Sequence, residues 1–384
     1  MTERLYERDS YLNSFEAKVL SCEQAEDGFF VVLDKTAFFP EGGGQAADKG
    51  TLGGARVLDV QQKGNIIIHK TDTPLEIGAT VMGELDWSTR YSRMQSHTGE
   101  HILSGVVNAL FGYDNVGFHM GEEFMLVDFS GPLTAADIEK IELESNKAVY
   151  KNADITVLYP SAKELSSIDY RSKLDITENV RIVKIGDIDC CACCAPHLAK
   201  TGEVGVIKVI DFYPNKQGTR VEMIAGESAL FDYARLCRDN KKLMGLLKAP
   251  RSGVLDAVLK LSEDYKTLRA EYQNAARKLA FYELEKETVG ENLLAFSSGA
   301  SFDELRYCSN LLTPEYKLCA LFSKAEDGFM YVVSSQSEDV REIVKSLNEN
   351  FGGKGGGKSD YAQGKLTLGS AEQLRTHILS LLDK

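Results

Sequence analysis

His97 and His101 stand four residues apart in Arg93–Phe111, where Met94, Ile102, Leu103, Val106, Val107 and Leu110 recur at helical spacing. On a helix that separation puts both imidazoles on one face, one turn apart, where they can share a metal ion. A second pair, Cys193 and His197, lies in Cys193-Cys194-Ala195-Pro196-His197. Three ring nitrogens and one sulfur make a tetrahedral donor set suited to zinc. The chain has only 6 histidines, so this set would use half of them. Cys190, Cys191 and Cys194 are alternative sulfur donors, but only Cys193 has the CxxxH relation to His197. The cysteine run would also suit a buried strip of small apolar side chains.

Two glycine-rich segments offer backbone N–H groups. Thr36-Ala37-Phe38-Phe39-Pro40-Glu41-Gly42-Gly43-Gly44-Gln45 has three successive glycines, which permit positive φ and close approach of a ligand. A long hairpin turn explains the glycines but gives Thr36 and Gln45 no role. Near the other end, Gly352-Gly353-Lys354-Gly355-Gly356-Gly357-Lys358-Ser359 reads as a loop whose N–H groups and two ammonium heads suit a phosphate. The GxxxxGK[ST] frame fits formally, but Asp360–Gly364 reads as more loop, not the helix that an ATP-binding loop requires.

The elements that must carry these residues fall into four groups. Residues 1–88 are predicted to be β, with runs at Ala17–Leu20, Phe29–Leu33, Val57–Val60 and Ile66–Ile68 punctuated by Gly, Asp and Asn. Such spacing suggests a small barrel or sandwich. Residues 89–225 read as α+β. The helix at Arg93–Phe111 is followed by a strand at Phe124–Phe129 and a helix at Thr134–Tyr150. Further strands are expected at Ile155–Tyr159, Val180–Ile185 and Val204–Phe212. Within residues 226–290, Val254, Val258, Leu261, Tyr265, Leu268, Tyr272, Ala275, Leu279 and Tyr282 alternate at four- and three-residue steps. That is a heptad seam, bounded by Pro250, Gly253 and Gly290, for a second helix, a second chain or the helix's own domain. Residues 291–384 read as an α/β module. Its strands are placed at Leu318–Phe322 and Met330–Val333, and its helices at Asp339–Asn348 and Ala371–Leu382.

Composition bounds the class. The 384 residues are 43% hydrophobic and 26% charged, which excludes collagen-like and disordered chains. No apolar run reaches bilayer-spanning length. The first ten residues, MTERLYERDS, are too charged for a secretory signal, and adjacent cysteines make a poor disulfide framework. A cytoplasmic location is expected. The net charge of −13 argues against nucleic acid, but Arg235–Lys286 holds 12 basic and 7 acidic residues, leaving −18 on the remainder. A positive segment on a negative chain can receive a polyanion, and it also suits a solvated helix face.

Together the motifs resemble the editing half of alanyl-tRNA synthetases. They resemble free-standing alanyl-tRNA editing proteins of the long AlaX type still more closely. The resemblance rests on TAFFPEGGGQAADKG (36–50), DWSTRYSRMQSHTGEHIL (86–103), CCAPHLAKTGEVG (193–205), Gly218–Glu222 and the terminal GGKGGGKSDYAQG. It implies an α+β multidomain fold in four parts. These are a glycine-motif β-barrel (1–88), a zinc editing domain of the threonyl/alanyl-tRNA synthetase second-additional-domain type (89–225), a coiled-coil-like helical arm (226–290) and a C-terminal α/β DHH-associated domain (291–384).

It also implies one zinc ion per chain, held by His97, His101, Cys193 and His197, and hydrolysis of serine or glycine wrongly esterified to tRNA(Ala). Thr36, Gly43, Gly44, Gln45 and His119 would line the substrate pocket, with Thr36 and Gln45 meeting a serine hydroxyl. Gly353, Lys354, Gly355, Gly356 and Lys358 would contact tRNA. A homodimer through arm and C-terminal domain is implied, with no membrane partner and no aminoacylation. The chain departs from the family in having CCAPH where CGGTH is usual.

Two rivals use the same residues. His97-Thr98-Gly99-Glu100-His101 also fits the HxxEH peptidase pattern, with Glu100 as base and Glu178 as third ligand. That reading leaves Cys193, His197, the Gly42–Gln45 loop and the basic arm without a purpose. The other rival is a closed structural zinc site in a tRNA-binding or dimerisation module.

Overall fold

Phe15, Ala17 and Val19 alternate with polar residues along the first long strand and point into a core with Val31, Val60 and Ile67. In this computed structural model that alternation belongs to six strands closed on themselves. They are β1 (Ser14–Ala25), β2 (Gly28–Leu33), β3 (Gly50–Leu52), β4 (Ala55–Lys63), β5 (Ile66–Thr71) and β6 (Thr80–Leu85). Their order is β1-β2-β5-β4-β3-β6, with β6 pairing back to β1. Closure leaves no sheet edge. The long connection from Leu33 to Gly50 carries the glycine motif. The structure describes every residue except 122, 173–179, 217, 383 and 384.

Helix α1 (Trp87–Phe111) begins six residues before the expected Arg93, because the Asp86 side chain accepts from Thr89 N and caps it there. It ends at Gly112, at φ 70°. Strands β7 (Asn115–Met120) and β8 (Met125–Phe129) follow, then α2 (Ala135–Tyr150), started by a Thr134–Asp137 capping box. The next strands are β9 (Ile155–Leu158), β10 (Ile182–Ile185), β11 (Asp189–Ala192), β12 (Ile207–Asn215) and β13 (Gly218–Ala225). They form two antiparallel sheets, ordered β12-β13-β8-β7 and β9-β10-β11. The strand expected from Val204 starts at Ile207, because Thr201–Val204 winds a 3-10 turn. One apolar core joins α1 and α2 to these strands.

Helices α3 (Glu227–Leu247) and α4 (Val254–Glu283) come next. The chain divides into two compact units, Met1–Lys241 and Lys242–Lys384. In the second, α4 leads into a sheet of β14 (Glu285–Val289), β15 (Asn292–Ser297), β16 (Leu318–Ala325), β17 (Gly328–Ser335), β18 (Lys354–Gly357) and β19 (Tyr361–Leu366), ordered β14-β15-β16-β17-β19-β18. Helices α5 (Phe302–Leu312), α6 (Arg341–Asn350) and α7 (Ala371–Leu382) belong to the same unit.

The terminal glycine segment, expected as a loop, is the edge strand β18, and the Asp360–Gly364 stretch is largely strand β19. A Cβ on Gly355 would lie 2.2 Å from the Tyr331 hydroxyl, so glycine lets β18 lie flush against the sheet. Strand β19, not a helix, follows it directly, unlike the helix an ATP-binding loop requires.

Candidate metal centre and its cavity

Helix α1 presents His97 and His101 on one face, with ring centroids 5.3 Å apart. Cys193 and His197 arrive on the loop after β11. The His97 and His197 Nε2 atoms lie 3.7 and 3.3 Å from Cys193 Sγ. One donor atom from each of the four side chains lies within 4.8 Å of the other three. Close approach of α1 to β11 is part of this. Gly105 is one turn beyond His101, and a Cβ there would sit 2.4 Å from the Ile188 carbonyl oxygen.

The far side of each ring is fixed as well. His97 Nδ1 donates to Gln45 Oε1 at 2.9 Å, and His101 Nδ1 donates to Asp189 Oδ2 at 3.0 Å. Both acceptors can only accept, so Nδ1 carries a proton in each ring and Nε2 is the atom turned to the centre of the cluster. His197 Nδ1 lies 3.1 Å from Thr98 Oγ1, which also accepts from Leu198 N. Asp189 is held in turn by Arg171 Nε at 2.8 Å.

The electrostatics favour a cation. Burial alone would raise the Cys193 thiol, but the His97 and His197 imidazoles outweigh it and hold the thiol well below its usual range. Burial pushes His197 down to about 3, keeping it neutral and able to ligate. Burial works against charge on Asp189 too, yet His101 and Arg171 hold its carboxyl below the ordinary value. By contrast, burial pushes Cys191 up to about 11. Cys191 lies with His101 and Asp189 in a second possible donor group. Asp189 in that group is already committed to Arg171 and His101, so Cys193 is the better sulfur.

The cluster opens on one wall of a cavity of about 850 Å³. Gly43, Glu100, Phe118, Arg181 and Cys194 are among its other lining residues. Glu100 is buried, and its Oε1 accepts from Ser104 Oγ and Asn115 Nδ2, both at 2.5 Å. Gly44, at φ +83°, lets the motif turn over Phe118, since a Cβ there would stand 2.7 Å from that ring. Phe118 in turn packs on His97 with centroids 5.1 Å apart.

Several expected pocket residues are placed differently. Gln45 reaches the centre only through His97. Thr36 is fully buried in the barrel, and its hydroxyl lies 2.8 Å from His69 Nε2 and accepts from Phe38 N at 3.1 Å. It does not line the cavity. His119 is exposed on β7, because strand alternation turns it away while its neighbour Phe118 faces the cluster. Lys354, Gly355, Gly356 and Lys358 are exposed on or beside β18, and Gly353 is half-buried just before it. Glu178, the peptidase reading's third ligand, lies outside the described residues. The sequence reading missed Asp189, Thr98 and Arg181. The only sequence hint of Asp189 was its place directly before the cysteines.

Comparison with known proteins fits this geometry. Three family models match. They are "tRNA synthetases class II (A)" over 11–89, "Threonyl and Alanyl tRNA synthetase second additional domain" over 180–222, and "DHHA1 domain" over 292–384. The first match covers the barrel alone. The alanyl-tRNA editing protein AlaX-L of Pyrococcus horikoshii is 29% identical, over 98% of this chain and 100% of its own length. Over nearly its full length the chain resembles the free-standing alanyl-tRNA editing proteins. The alanyl-tRNA editing protein Aarsd1 of mouse is 28% identical, over 94% of both chains. An alanine–tRNA ligase of Ignicoccus hospitalis is 32% identical over 94% of this chain, which spans 41% of that enzyme. No helix among the described residues is long and apolar enough to cross a membrane.

Proposed function

We propose that the chain is a trans-editing hydrolase. It cleaves the ester between a wrong amino acid, serine or glycine, and the 3′ end of tRNA(Ala), without aminoacylation activity. The observation that carries this is the meeting of three imidazoles and one thiol, of which His97, His101 and Cys193 line a cavity that can receive a nucleotide end. The donor set fits zinc, one ion per chain, held by His97, His101, Cys193 and His197. When bound, zinc supplies a Lewis-acidic centre beside the ester.

The chain's own residues do the rest. Gln45, Asp189 and Thr98 fix the three rings. Glu100, 4.0 Å from His101 Nε2 through its other oxygen, provides a carboxylate that can take a proton from attacking water. Phe118 and Gly43 shape the cavity beside the cluster. The chemical need is plain. An alanine pocket cannot strongly exclude a side chain that adds one hydroxyl or lacks one methyl, so a second hydrolytic site supplies the discrimination.

The structural-zinc reading is less well supported, because a purely structural site has no need of an open cavity. On the editing reading the partner is mischarged tRNA(Ala) in the cytoplasm. The exposed lysines of the β18 region contact RNA, and the arm and C-terminal unit pair two chains. The deciding experiment is deacylation of tRNA(Ala) charged with serine, glycine or alanine, with and without a chelator. Release of serine that stops on chelation is expected. Binding of tRNA with no release under any condition would favour the structural reading.

A further inference from the structure

Three guanidinium groups line the cavity: Arg4, Arg171 and Arg181. Two are already neutralised. Arg4 Nη1 lies 3.0 Å from Glu7 Oε1, and Arg171 Nε lies 2.8 Å from Asp189 Oδ1. Arg181 differs. It is 7% exposed, and among the described residues no carboxylate lies within ion-pairing distance of it. Its Nη1 donates to the Cys193 and Ala195 carbonyl oxygens at 2.7 and 2.9 Å. Its Nε is buried without an acceptor. Nη1 therefore anchors the ligand loop, and the guanidinium keeps a donor that no protein group among the described residues accepts.

A buried cation without a counter-charge is costly, and burial is tolerated when an anion completes it. Arg181 lines the cavity, and a guanidinium with donor capacity to spare is suited to a phosphate oxyanion. The substrate's amino acid cannot be that anion, since its carboxylate is esterified and its amino group is cationic. The nearest anion along an aminoacylated RNA end is the phosphodiester on the 5′ side of the terminal adenosine. Arg181 is bonded to the backbone of Cys193 itself, so an anion there would sit about one nucleotide from the cluster.

We infer that Arg181 is the phosphodiester-binding residue of the cavity, gripping the linkage before the terminal adenosine and setting its ester against the metal centre. This rests on the editing reading. The shared chemistry is a phosphate oxyanion, and free phosphate is the other source to separate.

The test measures binding of the dinucleotide CpA and of its uncharged methylphosphonate analogue to the zinc-loaded full chain by titration calorimetry. Wild type should prefer CpA by about tenfold or more, as expected for one charge-assisted contact. Arg181→Gln should shrink that preference to below about twofold, and Arg181→Lys should keep part of it. Equal affinity of wild type for the two dinucleotides overturns the inference without relying on any variant's folding. So does a preference that survives in Arg181→Gln. Displacement of CpA by an equal concentration of inorganic phosphate would assign the pocket to a free anion and overturn it too. Deacylation of Ser-tRNA(Ala) is scored separately. Deacylation without a CpA preference sinks the subsite alone, and a preference tracking Arg181 without deacylation sinks the editing reading alone.

Discussion

Arg90 and Asp48 form a buried ion pair, at 0% and 1% side-chain exposure, that ties helix α1 to the glycine motif. Arg90 Nε donates to Asp48 Oδ2 at 2.9 Å, and its Nη2 donates to the same oxygen and to the Ala37 carbonyl. Asp48 also accepts from Phe39 N at 2.7 Å. The helix that carries His97 and the loop that carries Gln45 are thus locked in one register. Arg90→Met would leave the buried Asp48 with only Arg93, 3.9 Å away, as a charged partner, at a cost of about 3–5 kcal/mol. A urea midpoint followed by Trp87, the chain's single tryptophan, should fall accordingly. Deacylation should be lost with it. An unchanged midpoint would mean that the pair contributes nothing net.

Cys193→Ala and His197→Ala should each abolish both zinc binding and deacylation, whereas Cys191→Ala should spare the metal. Gln45→Ala removes only the acceptor behind His97, and should weaken zinc about 10–100-fold. Zinc content by mass spectrometry, with affinity from chelator competition, separates these. Full metal in both the Cys193 and His197 variants would reject the ligand set.

Thr36 was expected to discriminate serine from glycine, but its hydroxyl is spent inside the barrel on His69 and Phe38 N. Thr36→Val should therefore cost about 1–3 kcal/mol, for an unsatisfied buried partner. It should slow release of serine and glycine to the same degree. Selective loss on serine, measured in parallel deacylation assays, would return Thr36 to the pocket.

His97, His101, Cys193 and His197 were legible because each pair is local and metal chemistry restricts residue type. Their supports were not. Asp189 lies 88 positions from His101 and Gln45 lies 52 from His97, and nothing in local spacing announces such contacts. The same limit misplaced His119. Its type suggested chemistry, but pleat direction decided that Phe118 faces inward. At the C-terminal end glycine content suggested a loop, yet those glycines let β18 approach Tyr331.

His69 gives the barrel a pH dependence. It is fully buried, and burial lowers its pKa from 6.5 to about 4. The folded state therefore resists a proton that the unfolded state accepts. This group leaves stability intact above about pH 6.5 and removes it progressively as pH falls to about 4. At about 1.4 kcal/mol per unit, the total is roughly 3 kcal/mol. His69→Gln should flatten the Trp87-monitored urea midpoint across that window. A wild-type slope persisting in the variant would assign the effect to other groups.

The seam along α4 supplies the last prediction. Val258, Leu261, Tyr265, Leu268, Tyr272, Leu279 and Tyr282 keep their heptad spacing, and all are exposed. Only Ala280 on this helix is buried. A thirty-residue helix with an uncovered apolar stripe is marginal in water unless something covers it. A heptad repeat is the pattern that pairs with a second helix, and the proposed dimer would supply one. Wild type should sediment as a dimer at micromolar concentration. Leu268→Glu combined with Tyr272→Glu should give a monomer that still holds zinc, because the metal centre draws all its ligands from residues 97–197. A monomeric wild type would leave the seam to a different partner, whereas loss of zinc in the variant would mean that the arm supports the editing unit directly.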